Sequence, residues 1–415
     1  MPAFPNQIIR NEFPSLALSH QGQPRIYLDN PGGTQVPKQV IEAVSRGMIE
    51  ASSNYGGFFP NSDAAVATWD SAHQAMADML GAASMKEIII GQSMTSLTFH
   101  MSRNLAHKFK AGDEIIVTKM DHEGDVSPWL RMAEDVGMVV KWVTFNKESW
   151  RIENEDLEAQ LSDKTKLVAL NYASNLTGSI NDIKALSAVA KKVGALVFVD
   201  AVQFAPHGIV DVQDLGCDFL ACSSYKFFGP HLGIIWGRQA LLETIPSYKC
   251  RCSSNELPER FELGTPQTEL LSGLAATVDY LEWIAELTGG SGTRRERLAH
   301  SFNQFIAYEN TLSLSLIEGL QSIKGVTIHG ITNSNRISER VPTISFTHQT
   351  IKPGTIARGL AEQGVFAWSG HNYAIGVVEH LGLNEKEGVT RLGLAHYNSA
   401  DEVATTLDVL DKILG

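Results

Sequence analysis

The sequence predicts an α/β fold: a mostly parallel sheet flanked by helices, followed by a smaller α+β part. Three observations predict it. Apolar runs rich in β-branched residues recur in the first two thirds of the chain with amphipathic stretches between them, the rhythm of parallel strands joined by helical crossovers. Beyond about Thr265 the texture changes to long helical patterns with a few short strands. A chain of 415 residues with 43% hydrophobic content is long enough to bury two such units.

In chain order, strands are expected at 87–91, 114–118, 138–145, 166–172, 195–200, 218–223 and 232–237. Between two of them, Ile183, Leu186, Val189, Ala190 and Val193 form a helical stripe that leads through Gly194 into the next strand, a βαβ crossover. Helices are expected at 270–287 and 294–320, then strands at 341–346 and 391–395. The tail reads as a helix: Ser399 with Glu402 makes a capping box, and Val403, Leu407, Leu410 and Leu414 form its apolar face. The Gly-rich 289–292 is a turn rather than a linker. Residues 26–265 are assigned to the large α/β domain, and 1–25 with 266–415 to the small one.

A net charge of −12 and a pI near 5.6, with no dense run of Lys and Arg, argue against nucleic acid or anionic membrane as partner. Residues 1–24 lack the apolar stretch of a signal peptide, and no later stretch is long enough to span a bilayer. A soluble cytoplasmic protein is expected. Cys217, Cys222, Cys250 and Cys252 match neither a disulfide framework nor a zinc pattern, so reduced thiols and no metal are expected. Asn175-Leu-Thr177 fits a glycosylation sequon, which matters only in a secreted protein.

The strand 195–200 ends in Asp200 after five apolar residues, at the edge where open α/β sheets bind ligands. A carboxylate buried there needs a cation or donors, which a pyridinium nitrogen supplies; capping the next helix is the plainer alternative. The following strand runs into Ser224-Tyr-Lys-Phe-Phe-Gly-Pro230, which sets Lys226 between aromatics. A desolvated lysine has a lowered pKa and becomes a nucleophile for Schiff-base chemistry, whereas an isolated loop lysine is ordinarily solvated. Its place one strand behind Asp200 favours the first reading. Gly91-Gln-Ser-Met-Thr95 joins a strand to the helical pattern Leu97, Phe99, Met101, Leu105, so free N–H groups, the dipole and Ser93 suit a phosphate ester. It is neither a Walker loop nor a Gly-x-Ser-x-Gly elbow. His122 follows the strand 114–118 on the same sheet edge, where its imidazole can stack on a ring or simply pack.

Together these segments resemble the class V aminotransferase family, and within it the cysteine desulfurases and their close relatives. The resemblance runs from Tyr27-Leu-Asp-Asn-Pro-Gly-Gly33 to Arg391-Leu-Gly-Leu-Ala-His-Tyr-Asn398, and is most specific at Val199-Asp-Ala-Val-Gln203, Ser223-Ser-Tyr-Lys226 and Gly229-Pro230. It implies a fold-type I transferase dependent on pyridoxal 5′-phosphate, carried by Lys226. By the same resemblance His122 would stack on the pyridine ring, Asp200 would hold its nitrogen protonated, and Gln203 would bond its 3′-oxygen. Asn175 would lie beside the ring and touch the substrate. Gln92, Ser93, Met94, Ser223 and Tyr225 would hold the phosphate, and Thr265, in Phe261-Glu-Leu-Gly-Thr-Pro266, would reach the phosphate of the partner subunit. A homodimer with the active site at its interface is therefore implied, acting on a small amino acid whose carboxylate pairs with Arg391.

One departure matters. Where desulfurases carry a nucleophilic cysteine in a Gly-His-x-Cys-Ala context, this chain reads Ser369-Gly-His-Asn-Tyr-Ala374, so Tyr373 replaces the sulfur acceptor. No cysteine follows Cys252. Tyr225 also stands where many relatives have His. The leading expectation is a C–S lyase: Lys226 removes the Cα proton of cysteine or a derivative, and His122 or Tyr373 protonates the leaving group, without an enzyme persulfide at the usual loop. An amino-acid epimerase or aminotransferase is the alternative, with Tyr373 as a second proton carrier. A non-catalytic sulfur-transfer scaffold predicts loss of cofactor residues, yet Asp200, Gln203, Lys226 and Arg391 are all present.

Overall fold

Seven strands form the central sheet: β1 (Ile88–Gly91), β2 (Glu114–Thr118), β3 (Val139–Val143), β4 (Thr165–Asn171), β5 (Leu196–Asp200), β6 (Phe219–Ser223) and β7 (Gly233–Gly237). The computed structural model describes residues 4–415; residues 1–3, at the start of the range assigned to the small domain, lie outside the described residues. The strand order is β1-β7-β6-β5-β4-β2-β3. All neighbours are parallel except at β7, which runs antiparallel to both β6 and β1. The connection from β6 to β7 is a short loop through Lys226, too short for a helical crossover, so the strand must turn back.

Successive side chains along each strand enter two different cores. Ile116, Val168 and Leu170 join one, while Ile115, Val117 and Ala169 join the other. That two-sided burial explains why these strands read as continuous apolar runs rather than as alternating ones.

The helices are α1 (Lys38–Glu50), α2 (Pro60–Leu80), α3 (Met94–Leu105), α4 (Glu123–Val136), α5 (Ile183–Lys191), α6 (Thr268–Thr288), α7 (Arg294–Ser322) and α8 (Ala400–Leu414), with shorter ones between. Helix α5 is capped by Asp182, whose side chain accepts from the Ala185 amide at 3.1 Å. Both α7 and α8 begin with full capping boxes, Thr293 with Glu296 and Ser399 with Glu402.

The smaller sheet is antiparallel, with β8 (Val326–His329), β9 (Thr343–His348), β10 (Trp368–Gly370) and β11 (Val389–Gly393) in the order β8-β9-β11-β10. Its core joins Ile344, Phe346 and Leu392 to Leu312 and Leu316 of α7 and to Val403 and Leu410 of α8. The chain also enters the small sheet's side early, since Ile26 and Tyr27 pair in parallel with Val365 and Phe366. Conversely, α6 packs against α1 and α2. A division at residues 26 and 265 into a large and a small domain stands as our proposal. What the arrangement fixes is where strand ends meet: Arg391 on β11 and Asp29 beside it reach the carboxyl edge of the large sheet.

Candidate active site

The carboxyl ends of β4, β5 and β6 open into a cavity of about 500 Å³ whose far wall is Asp29, Trp368, Asn372 and Arg391. Asp200 ends β5. Its Oδ1 accepts the Val202 amide at 2.8 Å, and the carboxylate faces the cavity. Burial pushes this carboxyl above its ordinary value, against the pull of the Val202 amide and the Lys226 charge. A cation placed opposite it would reverse that push.

Lys226 sits in the loop after β6, partly buried, with Nζ donating to the Pro31 carbonyl and lying 4.9 Å from the centre of the Tyr225 ring. Burial first, and then the Arg391 guanidinium, hold its amine down at about 7, against the opposing pull of Asp29 and Asp200. The amine is thus poised between acid and base near neutral pH.

His122 follows β2 at the cap of α4. Its Nδ1 accepts the Gly124 amide at 2.9 Å, which assigns the proton to Nε2. Burial, with Lys226 and Arg391 nearby, pushes the imidazole down to about 3, so it is neutral at physiological pH. Its ring stacks on Tyr373, centroids 5.3 Å apart and planes 24° off parallel. Tyr373 itself is 64% exposed. Its loop is tied down at two points: the Glu123 amide donates to the Tyr373 carbonyl at 2.8 Å, and Asn175 Nδ2 donates to the Asn372 carbonyl at 2.8 Å. Asn372 and Tyr373 both hold left-handed backbone, at φ of 53° and 59°, which for a tyrosine is costly.

At the other end, Ser93 caps α3 with φ of 57° and accepts the Ser96 amide at 3.1 Å. A Cβ at Gly233 of β7 would overlap the Met94 amide, so only glycine lets β7 pass behind this turn. Ser223 and Tyr225 face the same end of the cavity. The Tyr225 ring is stacked on His231, 4.8 Å away and within 6° of parallel.

Arg391 is 4% exposed. It donates to the Asn175 carbonyl at 3.1 Å and to Asp29 Oδ1 at 2.9 Å, leaving Nε without a partner. Gln203 lines the cavity and donates to Thr343 of β9 at 3.1 Å.

Of the residues singled out in the sequence, the cavity brings together Ser93, Met94, His122, Asn175, Asp200, Gln203, Ser223, Tyr225, Lys226, Tyr373 and Arg391. Gln92 and Thr265 are exposed and lie outside its lining. Cys250 and Cys252 are exposed, Cys217 and Cys222 buried, and no cysteine lines the cavity. Sequence reasoning missed Asp29, Thr95 and Asn372 as site residues. Trp368 reads in the sequence as one of four aromatics, with Tyr55, Phe58 and Phe59, that hint at a bulky side-chain pocket, and of these Trp368 alone lines the cavity. Asp29 lies inside the stretch 27–33 that carries the resemblance and Thr95 inside the turn 91–95, which were usable signals.

The residues present fit pyridoxal 5′-phosphate. Free N–H groups at the α3 N-terminus offer an anion seat, and a buried carboxylate faces the cavity with no cation of its own. A desolvated amine lies between these two ends, and the Asn175 Oδ1 and Arg391 Nε atoms are buried without partners. Among the described residues no cluster of His, Cys, Asp and Glu suits a metal ion.

The sequence model of the family described as Aminotransferase class-V matches residues 26–405. An aminotransferase-like protein of Gibberella zeae is 32% identical, with 99% of each chain covered. A cysteine desulfurase of Yersinia pseudotuberculosis is 30% identical with 100% of each covered. Among solved structures, the apo cysteine desulfurase of Thermococcus onnurineus superposes with a TM-score of 0.86 at 28% identity, covering 100% of this chain and 99% of that one.

Proposed function

The chain belongs to the class V aminotransferase family, and we propose that within it the protein is a C–S lyase for cysteine or a cysteine derivative. It is a pyridoxal 5′-phosphate-dependent enzyme of the cysteine desulfurase type. The observation that carries the finer reading is Tyr373: a tyrosine on a pinned loop stands where a desulfurase cysteine is expected, and no cysteine lines the cavity. Sulfur would therefore leave as sulfide or thiol, without an enzyme persulfide at this loop.

When bound, pyridoxal 5′-phosphate supplies an electron sink for charge developing at the substrate Cα. The residues suited to hold it are Ser93 and Met94 with Ser223 and Tyr225 at the phosphate, Asp200 at the ring nitrogen, Gln203 at the ring oxygen and His122 against the ring. Arg391 would take the substrate carboxylate, aided by Asn175. Lys226, near its own pKa at neutral pH, is suited to take the Cα proton. The candidate carriers of the proton for the departing sulfur are His122 Nε2 and the Tyr373 hydroxyl, whose rings stack with centroids 5.3 Å apart.

A second reading, an epimerase or aminotransferase, is favoured by the same stack. Tyr373 rests on His122, whereas Lys226 is docked on Pro31, so two proton carriers stand at separate points of the cavity. A homodimer, with Thr265 serving the partner's site, belongs to the proposal and is supported by the exposure of that residue. A cytoplasmic location is supported by the free thiols Cys250 and Cys252.

The test is a panel of cysteine, cystine, cysteine sulfinate and S-substituted cysteines, read by mass spectrometry for pyruvate with ammonia and sulfide or thiol, and for alanine with sulfite from the sulfinate, using Lys226→Ala as the blank. Turnover of at least one, lost in the blank, is expected. Inertness of all of them, with solvent deuterium entering Cα of another amino acid under inversion, would transfer the assignment to the epimerase.

A further inference from the structure

Arg391 does not wait empty for a ligand. Asp29 already occupies it, at 2.9 Å from Nη2, while Nη1 is held by the Asn175 carbonyl and Nε has no partner. The two partners are unequally fixed. Arg391 sits in the middle of β11, with its side chain 4% exposed, whereas the Asp29 side chain is 17% exposed and borders the cavity. Asp29 bridges to Gly393 of the same strand, and the turn after it closes tightly, since a Cβ at Gly32 would overlap the Asp29 carboxylate.

We infer that Asp29 is a built-in counter-ion that holds the place of a ligand carboxylate on Arg391, so that carboxylate binding exchanges one anion for another. The inference rests on the reading that Arg391 receives the substrate carboxylate. A buried guanidinium left unpaired is expensive, and Asp29 neutralises it until the ligand arrives. Its exposed edge gives it water to turn towards when displaced.

The exchange also reaches Lys226. Its amine docks on the Pro31 carbonyl of the same turn, and that turn is stitched to the lysine loop: the Thr34 amide donates to the Tyr225 carbonyl at 3.0 Å, and the Phe228 amide donates to Thr34 Oγ1 at 2.7 Å. Arg391 lowers the basicity of Lys226 and Asp29 raises it. A ligand carboxylate that takes the place of Asp29 on Arg391 therefore keeps the guanidinium neutralised, and preserves the basicity of Lys226, while a Cα proton is present to be taken.

The experiment measures the dissociation constant of propionate for the holoenzyme by ligand-observed NMR, in the wild type, Asp29→Asn, Asp29→Ser and Arg391→Gln. Both Asp29 variants are expected to bind propionate about tenfold more tightly, because the competing charge is gone. The pH midpoint of the cofactor's visible absorption band is expected to fall in both, since Lys226 loses a neighbouring anion. Arg391→Gln is expected to lose propionate binding. Weaker or unchanged binding in both Asp29 variants, with Arg391→Gln still deficient, overturns the exchange and leaves the Arg391 reading intact. Full binding by Arg391→Gln overturns that reading and the exchange with it. Two Asp29 variants are used because Asn keeps the shape and Ser does not; the cofactor band reports which of them is folded.

Discussion

Asp200 carries two roles in one carboxylate: it faces the cavity, and its charge raises the basicity of Lys226. Asp200→Ala is therefore expected to weaken pyridoxal 5′-phosphate binding by about tenfold or more, the worth of a charge-assisted hydrogen bond. Asp200→Asn, which keeps an oxygen for the Val202 amide, is expected to lose the charge but not the local turn. Fluorescence titration of cofactor into the apo chain measures both, and an unchanged affinity in Asp200→Ala sinks the assignment to the ring nitrogen. Asp200 was legible in the sequence because it ends an apolar strand, and Lys226 because it lies between aromatics in the loop that leaves the next strand. Arg391 and Tyr373 became legible only through the family resemblance. Asp29 and Asn372 were not read as site residues, because what makes them so is contact with chain hundreds of residues away, Arg391 for one and Asn175 for the other.

The end of β2 and the start of α4 carry two further acids that local pattern did not flag. Asp121 accepts from Thr118 at 2.7 Å and Asp125 from the Trp129 indole at 3.0 Å, but each has a second buried oxygen without a partner. Burial, then Asp121 and then Asp200, raise the Asp125 carboxyl well above its ordinary value, so it keeps its proton in the fold. The unfolded chain releases that proton near pH 4. Asp125 thus contributes stability that is complete below about pH 4 and is lost as pH rises through the raised folded value. Asp125→Asn has nothing to titrate. Its melting temperature relative to the wild type is expected to climb as pH rises above about 4, the ordinary carboxylate value; a difference that is flat with pH, measured by calorimetry, overturns the buried acid. At this scale the strands were the most legible elements, since two-sided burial writes long apolar runs. The direction of β7 was not, because apolar pattern is the same for parallel and antiparallel strands; only the short loop through Lys226 encodes it. Helices α1 and α2 were missed as well. In α2 six alanines and buried polar residues such as Ser62 and His73 blur the helical stripe, whereas α1 buries Val40, Ala43 and Gly47 on one face and leaves Met48 and Ile49 exposed.

That exposed apolar surface is the feature that only the whole molecule explains. Phe58 is fully exposed, and Phe59, Tyr55, Met48 and Ile49 are exposed beside it in sequence, on α1 and the loop that leads to α2. A protein does not leave such a set facing water without a use, for each large apolar side chain covered is worth about 2 kcal/mol. We propose that a second copy of the chain covers it, bringing Thr265 of each protomer to the other's cavity. The large sheet and the cavity are both built within one chain, so the fold does not require the partner, and Thr265 is the residue that the proposed interface would add to the phosphate end. In sedimentation equilibrium the wild type is expected to be a dimer at micromolar concentration. Phe58→Asp with Phe59→Ser is expected to give a folded monomer with weaker cofactor binding, whereas Thr265→Ala should weaken the cofactor and leave the dimer intact. A wild-type monomer that holds pyridoxal 5′-phosphate as tightly as the dimer would remove any role for the partner.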